Sequence, residues 1–403
     1  MTHGDDIGLD ENTQNLPRFS RRRLMRGAVA TASGLALPAL IRPANAASVT
    51  VQIGQIEPLT GPSSAYGMRC RDGAASAIAE IEHAGGFHDA KGTEYRLAVN
   101  LGDMANDARQ AITLYRQNAL DPSICASVGP TNSVGYVPIV PIAAQLRLLL
   151  IGESGAPIKR WTPWAYRVNP VGATAVPVLL RTVVGKLSIK RMAVLYDQTQ
   201  DGQAGDAEVC RQMKATLGYD IVADQAFSSG AQDFGPQISS IANARPDAIF
   251  VAAATGDGLR VTAQIRAAGL EAPLMTGYGA FNDPVYWNGS NGAIKGGYTW
   301  LAQDLAGSTG ALRGWYDAYN RTYQLPATSF STYGYDCVMS IVEAVKQAGS
   351  TDRDKIQEAM AQLDFRSPIG THVTFKNPPT GENLTPTVTV IQTTGSGTYA
   401  VVT

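Results

Sequence analysis

Residues 49–67 read V-T-V-Q-I-G-Q-I-E-P-L-T-G-P-S-S-A-Y-G: an apolar run, a loop of small and hydroxyl residues, and the mouth of a helix. The run Val49–Ile56 predicts a strand. Met68–His83 predicts the helix that follows, closed by Gly85-Gly86 as helix ends are. Strand, loop and helix form the repeating unit of α/β folds. Further strands are predicted at Tyr95–Asn100, Ile124–Val128, Leu148–Ile151, Met192–Tyr196, Ile221–Ala226, Ala248–Ala252, Leu274–Thr276 and Gly297–Trp300. Several are continuous apolar runs, as expected of strands covered on both faces. Helices are predicted between them at Asp107–Asn118, Val137–Gln145, Gln203–Leu217, Phe234–Asn243 and Leu259–Ala268, the last closed by Gly269. The pattern predicts parallel sheets in two runs, one before about Arg167 and one after. Beyond Trp300 come long helices, Leu312–Tyr323, Tyr333–Gln347 and Arg353–Leu363, and then a β-rich tail that includes Thr387–Gln392.

The 403 residues are 44% hydrophobic and 17% charged, enough apolar material for a sizeable core and too little charge for a disordered chain. Lys and Arg number 33 and Asp and Glu 34, a balance that gives no footprint for nucleic acid or for a polybasic membrane contact. The first 46 residues read as a cleavable export leader. Ser20-Arg21-Arg22-Arg23-Leu24-Met25-Arg26 precedes a weakly apolar stretch, Gly27–Ile41, and small residues end at Ala46. The paired arginines before a mild apolar stretch match the twin-arginine type. The apolar stretch is shorter than the roughly 20 residues that span a bilayer. Cleavage near Ala46 removes six arginines and four acids, so the exported chain has 27 basic and 30 acidic residues in a periplasmic compartment. Cys70, Cys125, Cys210 and Cys337 are far apart in sequence and read as buried free thiols.

Enzyme motifs are missing. There is no G-x-S-x-G elbow, no H-E-x-x-H, and no phosphate-binding G-x-x-x-x-G-K-[ST], since Gly185-Lys186 is followed by Leu187. His83 and His88, with Asp89, flank Gly85-Gly86 and read as a solvated turn rather than a metal site. Two loops invite a ligand instead: Pro58–Gly67, and Val128-Gly129-Pro130-Thr131-Asn132-Ser133-Val134-Gly135. Each follows a strand and opens a helix. Ligands bind beyond the carboxyl ends of strands in such sheets, and a helix amino terminus favours an anionic group.

The order of segments resembles the periplasmic solute-binding proteins of ABC importers, in the branched-chain amino-acid group (the leucine–isoleucine–valine-binding type). The resemblance rests on Val51-Gln52-Ile53-Gly54 through Leu59-Thr60-Gly61-Pro62, on Ala65-Tyr66-Gly67, and on Asp107-Ala108-Arg109-Gln110-Ala111. It continues through Tyr166-Arg167-Val168-Asn169-Pro170, Met192–Asp197, Arg245–Phe250, Gln264–Leu270 and Tyr333-Gly334-Tyr335-Asp336. It implies two doubly wound α/β lobes joined by three crossovers, with the ligand held in the cleft. Residues 47–167 and 299–366 would form the first lobe, and 168–298 and 367–403 the second. It further implies binding without catalysis, no cofactor, a monomer, and closure of the lobes to present an amino acid or organic acid to a membrane permease.

The resemblance also implies a site. Ser133 matches the serine that holds the ligand carboxylate, and Tyr66 an aromatic wall of the first lobe. Tyr335 matches a late tyrosine near the ligand. Glu153-Ser154-Gly155 matches the loop that meets the α-ammonium group. Four positions depart from the group's pattern. Gly155 replaces a threonine, Asp201 and Ala254 each replace a tyrosine, and Tyr278 replaces the glutamate that balances the ammonium. The carboxylate side is kept and the amine side is rebuilt. A buried ammonium needs a partner, and Glu153 and Asp201 are the candidates. Ordinary core packing competes for Tyr66 and Tyr335, a helix N-cap for Asp201, and solvent exposure for Glu153. An aromatic or aliphatic acid or amide without an α-amine competes as ligand, with Ala254 widening the second-lobe wall, and a sensory ligand-binding protein of the same fold competes with transport as the role.

Overall fold

The computed structural model describes residues 48–277, 281–376 and 380–403. The expected leader and Tyr278 lie outside the described residues. The first run builds β1 (Val49–Glu57), α1 (Ser64–His83), β2 (Phe87–His88), β3 (Glu94–Asp103), α2 (Ala108–Leu120), β4 (Ile124–Thr131), α3 (Ser133–Leu146), β5 (Leu149–Glu153) and β6 (Ala165–Arg167). Its sheet has the order β2-β3-β1-β4-β5-β6. All pairings are parallel except β2 with β3. Every residue of β4 and β5 is buried, which explains why their sequences show no alternation of apolar and polar residues. Side chains start the helices: Asp107 accepts from the Gln110 amide at 2.8 Å at the expected start of α2, and Asn132 from the Gly135 amide at 3.0 Å, so α3 begins four residues before its predicted start at Val137.

The second run builds α4 (Gly172–Leu187), β7 (Arg191–Asp197), α5 (Asp201–Leu217), β8 (Asp220–Phe227), α6 (Gly235–Ala244), β9 (Ala248–Ala252), α7 (Thr255–Ala267), β10 (Leu274–Met275), α8 (Pro284–Gly289) and β11 (Tyr298–Leu301). The chain then forms α9 (Gly310–Tyr323), α10 (Ser329–Ala348), α11 (Arg353–Met360) and the small antiparallel pair β12 (Asp364–Arg366) and β13 (His372–Thr374). It ends in β14 (Thr389–Gly395) and β15 (Thr398–Val401). The second sheet has the order β15-β14-β11-β10-β9-β7-β8, with β14 and β15 added antiparallel at one edge. Thr299 pairs with Ile391 in this sheet, so the chain leaves it after Leu301 rather than at residue 299. The chain passes between the sheets after Arg167, after Leu301, and between α11 and β14.

Helix α4 has no counterpart among the predicted helices. Its sequence holds Gly172, Pro177 and several β-branched residues, all poor helix formers. Burial of Val176, Leu179, Leu180 and Val183 against the second sheet outweighs that preference. Helix α10 is buried on nearly every side and packs across α1. The four cysteines are free and buried. Among the described residues no helix is long and apolar enough to cross a membrane.

Two buried acids couple this core to pH. Burial pushes the Glu57 and Asp336 carboxyls each up to about 7, against partial relief from hydrogen bonds. Between the unfolded carboxylate range and about pH 7 the folded chain keeps protons that the unfolded chain has released. Stability therefore falls as pH rises through that window. Glu57 accepts the Thr131 amide at 3.0 Å, a bond that a glutamine oxygen can also accept. Glu57→Gln is expected to be more stable than the parent at pH 8 by on the order of 2–3 kcal/mol, and close to it at pH 4.5. Urea denaturation at the two pH values checks this; equal differences at both would sink the assignment.

Candidate functional site

A narrow cleft lies between the two sheets. Glu153 and Gly155 face it from the end of β5, and Asn169 and Pro170 from the segment after β6. Helix α10 contributes Phe330 and Tyr333. Asp206 of α5, Gly277 just beyond β10, and Trp300 of β11 close the far side. The site thus sits beyond the carboxyl ends of strands from both sheets.

The loop after β5 is fastened from behind. Asn169 accepts the Ser154 amide at 3.1 Å and donates to the Ser154 carbonyl at 3.2 Å. The Arg167 guanidinium, 1% exposed, donates to the carbonyls of Ser154 and Ala156 at 2.8 and 2.7 Å and pairs with Glu382. The Trp161 ring lies 5.2 Å from that guanidinium, so Trp161 packs at the crossover. Ser133, the first residue of α3, sits one layer behind the cavity wall. Its hydroxyl oxygen accepts the Ala156 amide at 3.1 Å and lies 3.1 Å from the Ser154 hydroxyl. A side chain at Gly202, at the start of α5, would come within 2.9 Å of it. Tyr66 is buried and stacks on Phe330 with ring centroids 4.5 Å apart, so it supports the aromatic wall from behind.

Two contacts join the two lobes, and a third close approach lies beside them. Arg69 of α1 pairs with Asp283 at 3.2 Å, both buried. The Gly256 amide donates to the Pro62 carbonyl at 3.2 Å. The start of α5 covers Ser133, as above.

Three expected residues lie elsewhere. Tyr335 faces away from the cavity: its hydroxyl donates to Glu80 at 2.8 Å, and its ring meets Trp315 edge-on in a groove between α1 and α9. Tyr333, two residues earlier, is turned by about 200° on the helix and takes the cavity position instead. Asp201 is exposed and lines an outer groove with Lys159 and Arg160, so it cannot partner a buried ammonium. Ala254 precedes α7 and is buried in the core, away from the cavity lining. Glu153 resolves the other way: it is 2% exposed and faces the cavity, not solvent.

The sequence reading missed Asp206, Trp300, Phe330 and Tyr333. Asp206 carried a legible signal. It falls with Gly202, Gln203, Ala207 and Cys210 on the buried face of α5, where an acid is out of place. Its carboxyl is pushed well above the usual range, first by burial and then by the charge of Glu153.

Comparison with known proteins gives the same architecture. Residues 50–397 match the family described as periplasmic binding protein. The Leu/Ile/Val-binding protein homolog 1 of Brucella suis is 25% identical, over 84% of this chain and 90% of its own. The leucine-, isoleucine-, valine-, threonine- and alanine-binding protein of Pseudomonas aeruginosa is 26% identical, over 80% and 85%. The branched-chain amino-acid transporter substrate-binding protein of Streptococcus pneumoniae, solved with isoleucine, superposes with a TM-score of 0.77 at 21% identity, covering 87% of this chain and 98% of its own. A solute-binding protein of Rhodopseudomonas palustris solved with benzoate reaches 0.74 at 17% identity, over 87% and 95%. These solved structures share the fold. With a family match that spans both sheets and every crossing between them, the chain belongs to the periplasmic binding protein family.

Proposed function

We propose that the protein is the exported solute receptor of an ABC importer. It captures a small carboxylate-bearing solute by lobe closure and presents it to a membrane permease without chemical change. The first candidate solute is a branched-chain or other apolar amino acid. The observation that carries this reading is the narrow cleft to which both lobes contribute, with an aromatic wall of Phe330, Tyr333 and Trp300 and the polar loop Glu153–Gly155. The curated relatives named for branched-chain amino acids support the choice of solute. The aromatic wall and the benzoate-bound neighbour support a second reading, an aromatic or aliphatic acid without an α-amine.

A thermal-shift panel tests capture. The purified chain is unfolded and refolded to strip carried-over solute, then challenged with amino acids, deaminated acids, benzoates and amides. Ligand at 100 times its dissociation constant adds about 2.7 kcal/mol of stability, a visible rise in Tm. Ser133 carries the carboxylate role only by resemblance, and it is already engaged by Ala156 and Ser154. Ser133→Ala is therefore expected to weaken binding through the loosened loop, by about 1–3 kcal/mol. No shift with any solute contradicts capture.

A further inference from the structure

We propose that Asp206 is the specificity-determining anion of the cleft: with Glu153 across from it, it holds the ammonium of a small amine-bearing solute with an apolar body and thereby excludes deaminated acids. This rests on the capture reading above and narrows its ligand class.

Asp206 and Glu153 come from different lobes, on α5 and at the end of β5, and face one cavity. Each is 2% exposed. The Oδ2 atom of Asp206 has no hydrogen-bond partner among the described residues. The surrounding backbone is cleared for this carboxylate. A side chain at Gly172 would come within 1.9 Å of its Oδ1, and one at Gly277 within 2.6 Å of its Oδ2.

No lysine or arginine appears among the described residues that line the cavity. The nearest buried cation in the loop wall, Arg167, is committed to the Ser154 and Ala156 carbonyls and to Glu382. The amino end of α4 at Gly172 offers about half an elementary charge. That leaves Asp206 buried, with a second acid across from it and no full countercharge among the described residues. The carboxyl keeps its proton in that setting, and ionising it is costly unless a cation arrives. A solute ammonium supplies it, and by meeting one acid from each lobe it draws the lobes together. A deaminated acid brings the same single carboxylate as its amino acid but no ammonium, and so leaves the two acids without a countercharge.

The test sets two triads against the ligand-stripped chain by calorimetry: leucine, 4-methylpentanoate and 3-methylbutylamine; phenylalanine, 3-phenylpropanoate and 2-phenylethylamine. In at least one triad the amino acid is expected to bind about 30-fold or more tightly than its deaminated acid, with the bare amine retaining measurable affinity. Asp206→Asn is expected to lose that preference, weakening the amino acid about 30-fold while the deaminated acid does not weaken. The same variant without ligand should melt higher than the parent, since it removes an unbalanced buried acid; a purely structural role predicts the reverse. Deaminated acids that bind as tightly as their amino acids overturn the inference and leave capture standing, and this arm needs no variant. Asp206→Asn that keeps amino-acid affinity within threefold also overturns it. A chain that binds none of the six overturns the capture reading for these solutes, and this inference with it.

Discussion

Gly334→Ala is expected to cost about 3 kcal/mol or more, enough to threaten folding of the first lobe. Helices α1 and α10 cross with their backbones in contact. A side chain at Gly334 would come within 2.0 Å of the Cys70 carbonyl oxygen, and one at Gly73 within 1.9 Å of the Ser331 carbonyl oxygen. Both obstacles are backbone in buried helices, so no flexible side-chain tip can swing aside. The helices must part, and the aromatic wall that α10 presents to the cavity moves with them. Gly314 is the internal control. It lies in α9 with no atom within 4 Å of the place a methyl group would occupy, so Gly314→Ala should stabilise the chain by about 0.5–1 kcal/mol. Urea denaturation measures both. A loss below 1 kcal/mol for Gly334→Ala would mean that the crossing is looser than described.

The second large effect is expected at Arg167. Arg167→Met keeps volume but removes two charge-assisted hydrogen bonds to buried carbonyls, each contributing about 1.5–3 kcal/mol. It also removes the cation–π contact with Trp161, about 1 kcal/mol. The half-exposed Glu382 adds little, because solvent screens it. The expected destabilisation is about 3 kcal/mol, together with weaker solute binding as the Glu153–Gly155 loop loses its anchor. Arg167→Lys should recover only part of this, since Nη1 meets both carbonyls while Nη2 meets Glu382, and a single ammonium nitrogen lacks that fixed planar spacing. Glu382→Gln should cost below about 1 kcal/mol. A Met variant with parental stability and affinity would remove Arg167 from its positioning role.

The strands were readable because burial on both faces leaves no alternation to misread. β9, Ala248–Ala252, is buried at every position and coincides with its predicted bounds. The long helices were readable from apolar spacing and from end signals such as Gly269, at φ 77° after α7. Helix α4 was not, because Gly172 and Pro177 argue locally against a helix that only the sheet beneath it supports. The site was legible as a pair of lobes and as the loop Glu153–Gly155. Its individual side chains were less so. Tyr333 and Tyr335 are two residues apart and indistinguishable by type; only helix phase decides which faces the cavity. Asp201 and Asp206 both belong to α5, and burial separates them. A motif carries over position by position, whereas which acid of α5 reaches the cleft is fixed by which face of the helix packs inward.

The most direct test of solute capture between the lobes is a crystal structure of the ligand-stripped chain re-loaded with the solute that gives the largest thermal shift. Density for one solute is expected in the cavity bounded by Phe330, Tyr333 and Trp300, with its nitrogen within hydrogen-bond distance of Asp206 and Glu153. Solute bound elsewhere, such as in the groove between α1 and α9 beside Tyr335, would contradict capture at this site. A solute in the cavity that turns a carboxylate toward Asp206 would contradict the role given to that acid.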